Sequence, residues 1–263
     1  MSIPERLNPL GVREKLPAGF TGLAYLESTG SQYMVTDFIP TNESGIYLDS
    51  QLPVNQDLVP CGCRNSSPEY TRFYAIRTPL LSNSGKYLAG YGWGAWLSIE
   101  APDGYYRDKT YLNWRNNRLV QCKAGNHSLE NLSFTPIYPA YIFAANVQSV
   151  PSHLFIGKIW RVAFSQQTCI VHDYVPAIMP DGTPCMYDTV ERMPLVNSGG
   201  GEFICGVETL SQLHELLHKL PDVSGLDTRI LTIRLVEGLK TPSIMNHIDA
   251  VSLNKNWNIA LAA

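Results

Sequence analysis

The sequence predicts a mainly β chain: a two-sheet antiparallel sandwich, preceded by an extended N-terminal arm and followed by a small α/β appendage. Two observations carry this reading. From Gln32 onward, short segments alternate apolar and polar residues with a period of two, the spacing that lays one face of a strand against a core. Between them, 20 glycines and 18 prolines interrupt the chain at intervals suited to many short strands. Charged residues make up 16%, below the quarter or so usual in globular domains.

Residues 1–20 contain Pro4, Pro9, Gly11, Pro17 and Gly19 without sustained periodicity and read as an arm. Ile3, Leu7, Leu10, Val12 and Leu16 would be wasted in water, which points to an anchor laid across a neighbouring subunit or partner. Residues 21–206 form the sandwich. Within it Ile46, Leu48 and Leu52 face one way and Tyr47, Asp49 and Gln51 the other; similar runs span 72–76, 95–99, 118–122, 141–145, 154–164 and 169–175. After residue 206 the period changes. Leu210, Leu213, Leu217 and Leu220 recur at helical spacing, Thr209 and Gln212 fit a capping box, and Pro221 stops the helix. A strand at 229–236 puts Leu231, Ile233 and Leu235 on one face, Thr241-Pro242 opens a second helix with Ile244, Ile248 and Val251 in register, and Asn256–Ile259 closes as a strand. Residues 207–263 thus form a distinct α/β region.

Composition excludes several functions. A formal charge of −3 without any Lys/Arg block gives no attraction for phosphate backbones, so no nucleic acid is expected as a partner. The N-terminus shows no secretory pattern and no apolar run reaches spanning length, which predicts a soluble chain made in a cytoplasm, without membrane insertion. Cysteines 61, 63, 122, 169, 185 and 205 are scattered, as befits buried thiols in a reducing compartment. Cys61 and Cys63 flank Gly62 and share one strand face. No cofactor is expected.

Several segments together resemble one family. Tyr25–Tyr33 stands near the start; Lys158–Val162 and Val171–Pro176 stand where two long strands belong; Gly182-Thr183-Pro184-Cys185-Met186-Tyr187-Asp188, followed by Asn197–Phe203, closes the module. Cys61–Asn65 and Ile142–Asn146 are similar to two further strands of that family, with Ala145 in place of a basic residue. The family is the concanavalin A-like, laminin-G-like sandwich of bacteriophage and prophage virion proteins, found in tail fibres and other exposed appendages. The resemblance covers residues 21–206 and implies an antiparallel jelly roll; residues 207–263 look like leucine-rich half-repeats.

The resemblance implies binding rather than catalysis. A lectin-like surface needs aromatic faces for sugar C–H groups and polar side chains for hydroxyls. Residues 91–118 supply both, with Tyr91 and Trp93, flanked by glycines, read as strand and core partners. The candidate ligand residues are Tyr105, Tyr106, Trp114, Arg115 and Asn116, which lie near turn signals. The paired carboxylates of a glycosidase are not framed: Glu100 with Asp103, and Asp188 with Glu191, sit in turn-like sequence.

One motif points to an enzyme. His214-Glu215-Leu216-Leu217-His218 fits a zinc-peptidase helix, with Glu237 nineteen residues beyond His218 as a third ligand. Lys219 beside the second histidine, Pro221 within a turn, and a tail too short for a substrate cleft argue against it, so His214, His218 and Glu237 are rejected as a metal site. The expected protein is a non-enzymatic phage virion component, an exposed adhesin or tail-fibre subunit. Its partners would be other virion proteins through the arm and host surface glycan through the sandwich, in a homo-oligomer that is trimeric by analogy with fibres. The rival expectation is a capsid decoration or head-fibre subunit, and the third is the peptidase.

Overall fold

The structure is a computed structural model that describes residues 16–41, 43–52, 58–65, 72–77, 86–91, 95–100, 106–113, 119–122, 125–128, 136–167, 169–223 and 228–262. Its first strands are β1 (Thr21–Gly22), β2 (Tyr25–Thr29), β3 (Met34–Val35), β4 (Ser44–Leu52), β5 (Cys61–Arg64), β6 (Arg72–Arg77) and β7 (Lys86–Tyr91). Then come β8 (Ala95–Glu100), β9 (Tyr106–Asn113), β10 (Leu119–Cys122), β11 (Gly125–Ser128), β12 (Tyr141–Ile142), β13 (Ala145–Val147) and β14 (Val150–Ser152). The rest are β15 (Ile156–Gln166), β16 (Cys169–Ile178), β17 (Pro184–Asp188), β18 (Met193–Val196), β19 (Ile204–Val207), β20 (Arg229–Leu235) and β21 (Trp257–Leu261), with helices α1 (Leu210–Lys219) and α2 (Pro242–Lys255).

The chain is mainly β, and its two curled sheets are consistent with a sandwich. The larger sheet runs β11-β10-β9-β4-β15-β2-β19-β20-β21, with a branch through β16 to β1, β17 and β18. The second runs β14-β13-β5-β12-β3, and β6, β7 and β8 form a meander. Ile46 and Leu48 face inward as their alternation predicts, and they join Leu26, Cys61, Cys63, Ile142, Phe164 and Phe203 in one buried cluster. Burying side chains of this size contributes about 1.5–3 kcal/mol each.

The expected strand over 141–145 is broken in two. β12 pairs antiparallel with β5 on one side, and β13 pairs parallel with β5 on the other. Phe143 makes the crossing at φ 65, a conformation that bulky residues rarely adopt. Burial compensates for it: the ring is 0% exposed and packs on Phe203 at 4.8 Å, while its backbone N–H donates to the carbonyl of Pro60 at 2.7 Å.

The C-terminal helix-strand-helix-strand order is present. Thr209 accepts from the backbone of Gln212 and the Gln212 side chain reaches back to the Thr209 N–H, so the capping box forms. Leu213, Leu216, Leu217 and Leu220 are buried; Leu210, expected on that stripe, is 43% exposed because it opens the first turn. Thr241 caps α2 with Pro242 in its first turn, and Asn256 ends it in the left-handed region. β20 pairs parallel with β19, β21 pairs parallel with β20, and Leu213, Ile233, Ile248 and Trp257 belong to the same cluster as the sandwich core.

A turn seats this C-terminal unit. Gly182 has φ +90, and a Cβ there would lie 2.3 Å from the Trp257 ring. Trp257 Nε1 donates to the Pro221 carbonyl at 2.8 Å, and Arg229 donates to the Asp181 carbonyl. Gly182→Ala should therefore lower stability in urea unfolding by at least about 2 kcal/mol, from backbone strain plus displacement of the indole. Gly200→Ala, with nothing within 4 Å of its added methyl, should change stability by less than about 0.5 kcal/mol.

Candidate functional site

The ligand residues expected from sequence fall mostly outside the described structure. Tyr105, Trp114, Arg115 and Asn116 lie outside the described residues, and Tyr106 is described only as the backbone residue of β9 opposite Leu52. Tyr105 and Tyr106 sit at one end of β9 in sequence, and Trp114 adjoins the other. Eight residues of strand span roughly 23 Å between terminal Cα atoms.

The segments that carry the family resemblance meet in a hydrogen-bonded clasp. Gln32, 2% exposed, accepts through Oε1 from the Ser28 hydroxyl at 2.9 Å and the Thr29 N–H at 2.8 Å, and donates through Nε2 to the Glu202 carbonyl at 3.1 Å. Asn197 donates to the Gly201 carbonyl at 2.7 Å and accepts from the Gly199 N–H at 2.9 Å. Ser198 N–H donates to the Tyr33 carbonyl at 2.8 Å. Gly199 permits the approach, since a Cβ there would lie 2.1 Å from the Ser31 carbonyl oxygen. Two runs about 165 residues apart are thereby laced together.

The other matching segments meet in a polar node on β15, β16 and β17, with Asp173 and Asp188 buried and Arg161 partly exposed. Asp188, 2% exposed, accepts from His172 Nδ1 at 2.7 Å and from the backbone N–H groups of Asp173 and Val190, each at 3.0 Å. Asp173 holds Arg161 in a two-pronged pair at 2.7 and 2.5 Å. The second ring nitrogen of His172 lies 3.6 Å from Asp37. Burial opposes the imidazolium, but hydrogen bonding and charge from Asp188, helped by Asp37 and Glu191, outweigh it and raise the His172 pKa. Burial likewise opposes the Asp188 carboxylate, and its hydrogen bonds from His172 and two backbone amides overcome that and lower its pKa. With a carboxylate near each ring nitrogen, both sides of the imidazole are engaged, and the surroundings favour its protonated form.

A β-bulge arranges the outer face of the larger sheet. Along β15, Ile159 opposes Ser50 while Arg161 opposes Asp49, so Trp160 is an extra residue and both Trp160 and Arg161 turn outward. The Arg107 guanidinium lies 4.2 Å over the Trp160 ring and pairs with Asp49 through two 2.7 Å bonds. Trp160 Nε1 donates to Glu208 at 3.2 Å, Tyr25 lies 5.1 Å from the indole, and Lys158 lies 4.6 Å over Tyr25. Burial first, then the nearby Glu27 carboxylate, pushes the Tyr25 hydroxyl up to about 12. Sequence reading passed over this cluster, yet it left a trace: Ile159 and Val162 both face the core three residues apart, which strict alternation forbids.

His214, Glu215 and His218 occupy exposed positions on α1. The His214 ring meets His247 edge-on at 5.8 Å, Glu215 pairs with Lys219 at 2.7 Å, and Glu237, 87% exposed, pairs with Lys240. Among the described residues no group of three or more His, Cys, Asp or Glu side chains converges as a metal site. Cys61, Cys63, Cys185 and Cys205 are buried free thiols, whereas Cys169 is exposed because it opens the hairpin strand β16. Burial pushes all four buried thiols up, Cys185 to about 12, so they are poor nucleophiles. No protein-family model matches the chain, and a search of curated proteins finds no match.

The node sets a pH dependence. His172 has a raised folded-state pKa, so its contribution is complete below the unfolded value near 6.5 and is lost as pH rises through the folded value. Asp188 has a lowered one, so its contribution is present above about 3.8 and is lost as pH falls through the folded value. Thermal unfolding across this range should show a wild-type stability step on the alkaline side of 6.5 that is missing in His172→Gln.

Proposed function

We propose that the protein is a non-enzymatic structural component of a bacteriophage virion, built on a concanavalin A-like, laminin-G-like jelly roll and exposed as an adhesion or receptor-binding part of a tail fibre or appendage. The observation that carries this reading is the use made of the segments resembling that family. Tyr25–Tyr33 and Asn197–Phe203 close a clasp, and Arg161, His172, Asp173 and Asp188 close a node. Their polar groups hold strands together and are committed to one another. What such a body offers outside is a contact surface, and residues 91–118 remain the proposed place for host glycan.

A second reading, a capsid decoration or head-fibre subunit, draws on the root of the arm. Leu16 and Phe20 pack on the cluster of Ala177, Cys185 and Tyr187, with Phe20 and Tyr187 rings 4.9 Å apart, and the Phe20 carbonyl accepts from Lys219 at 2.8 Å. Residues 16–20 are thereby fixed to the body, as an anchoring arm requires at its root. Saturable binding of the purified chain to host cells or a glycan array, lost in Trp114→Ala, is the expected result for the adhesin. Absence of binding together with stoichiometric occupancy of capsid sites in imaged particles would replace it with the decoration reading. Stoichiometric zinc that is lost in His218→Ala would overturn both.

A further inference from the structure

We propose that β21 is a self-pairing edge through which two copies of the chain join their larger sheets about a two-fold axis. This inference is independent of the virion reading. β21 ends the path of the larger sheet and has no partner beyond β20 among the described residues. Exposed edges are commonly blunted by shortness, charge or proline, and most other edges here follow that rule. β3 has two residues, β14 contains Pro151 and β18 contains Pro194. β6 carries Arg72 and Arg77, and β8 carries Glu100. β21, Trp-Asn-Ile-Ala-Leu, has five residues with neither charge nor proline; β11 is also neutral, but it is shorter and begins with glycine.

Hydrogen-bond direction defines what this edge can accept. Ala262 N–H donates to the Ile233 carbonyl on β20, so residues of the same parity, Asn258 and Ala260, direct their backbone groups inward to β20. The N–H and C=O groups of Trp257, Ile259 and Leu261 therefore point out of the edge. Only another extended strand satisfies such a row. A second copy reversed about Ile259 puts Ile259 opposite itself and Trp257 opposite Leu261, which makes about six main-chain hydrogen bonds. It also sets apolar against apolar on the core side and Asn258 against Ala260 on the outer side. Leu261, 37% exposed, gains cover from such a partner. Lys255, two residues before β21, is engaged by the His218 and Leu220 carbonyls at 2.9 and 2.6 Å rather than extended toward a second copy. The two-fold closes the assembly as a dimeric contact rather than a fibre.

Mass measurement by light scattering on the full chain, over a dilution series, tests this. Ile259→Pro removes an outward N–H while leaving the inward bonds of β21, so the mass should fall by half with the circular dichroism of the wild type retained. In a Cys169→Ser background, Ile259→Cys should cross-link two chains on mild oxidation, since paired antiparallel Cα atoms sit about 5.5 Å apart. Leu253→Cys in the same background, exposed on α2, should not. A wild-type chain of single-copy mass at every concentration overturns the proposal. So does a dimeric or trimeric mass unchanged by Ile259→Pro together with no cross-link from Ile259→Cys.

Discussion

The structure turns on β2, a strand of five residues with both edges hydrogen-bonded. On one side it pairs with β15, which carries the sandwich through β4 and β16; on the other it pairs with β19, which begins the parallel extension to β20 and β21. Leu26, fully buried, stands between Ile159 and Cys205, so a single residue sees both halves of the core. On the outer face the Tyr25 ring lies flat over Gly206, where a Cβ would meet it at 2.5 Å, and Glu27 grips Arg234 through bonds of 2.7 and 3.0 Å. The Glu27–Arg234 pair crosses from the sandwich to the C-terminal unit, as does the pairing of β19 with β20, and one hydrophobic cluster serves both.

Among the described residues, the buried and half-buried charged groups act chiefly as fasteners. Asp188 collects backbone donors and an imidazole that would otherwise be left unsatisfied in the interior, where an unpaired group costs about 1–3 kcal/mol. Asp173 with Arg161 and Glu27 with Arg234 repeat the two-pronged geometry across neighbouring strands. The outer cluster around Trp160 follows the same economy, with one indole face taken by Arg107 and its N–H by Glu208.

How much was legible in the sequence depended on whether the signal was local. The capping box at Thr209 and Gln212 and the inward Ile46 and Leu48 depend on neighbours a few residues away, and both could be read directly. The break at Phe143 could not, because Ile142-Phe143-Ala144-Ala145 is apolar throughout and a turn inside it leaves no polar mark. Nor could the parallel pairing of β19 with β20, since partners more than twenty residues apart are chosen by packing rather than by pattern. The bulge at Trp160 lay between these cases: its broken alternation is visible once the partner strand is known. The aromatic segment 91–118 showed its composition but not its exposure, which is why Tyr105 and Trp114 could be named as candidates without their relative positions.

Native-state hydrogen exchange measured under increasing denaturant bears most directly on the central claim, that β2 welds the sandwich and the C-terminal unit into one cooperative core. The account predicts that the amides of Leu26, Cys205 and Ile233 exchange only through an opening with the free energy of global unfolding. Exchange of Ile233 through a separate opening several kcal/mol smaller, with Leu26 still protected, would contradict it.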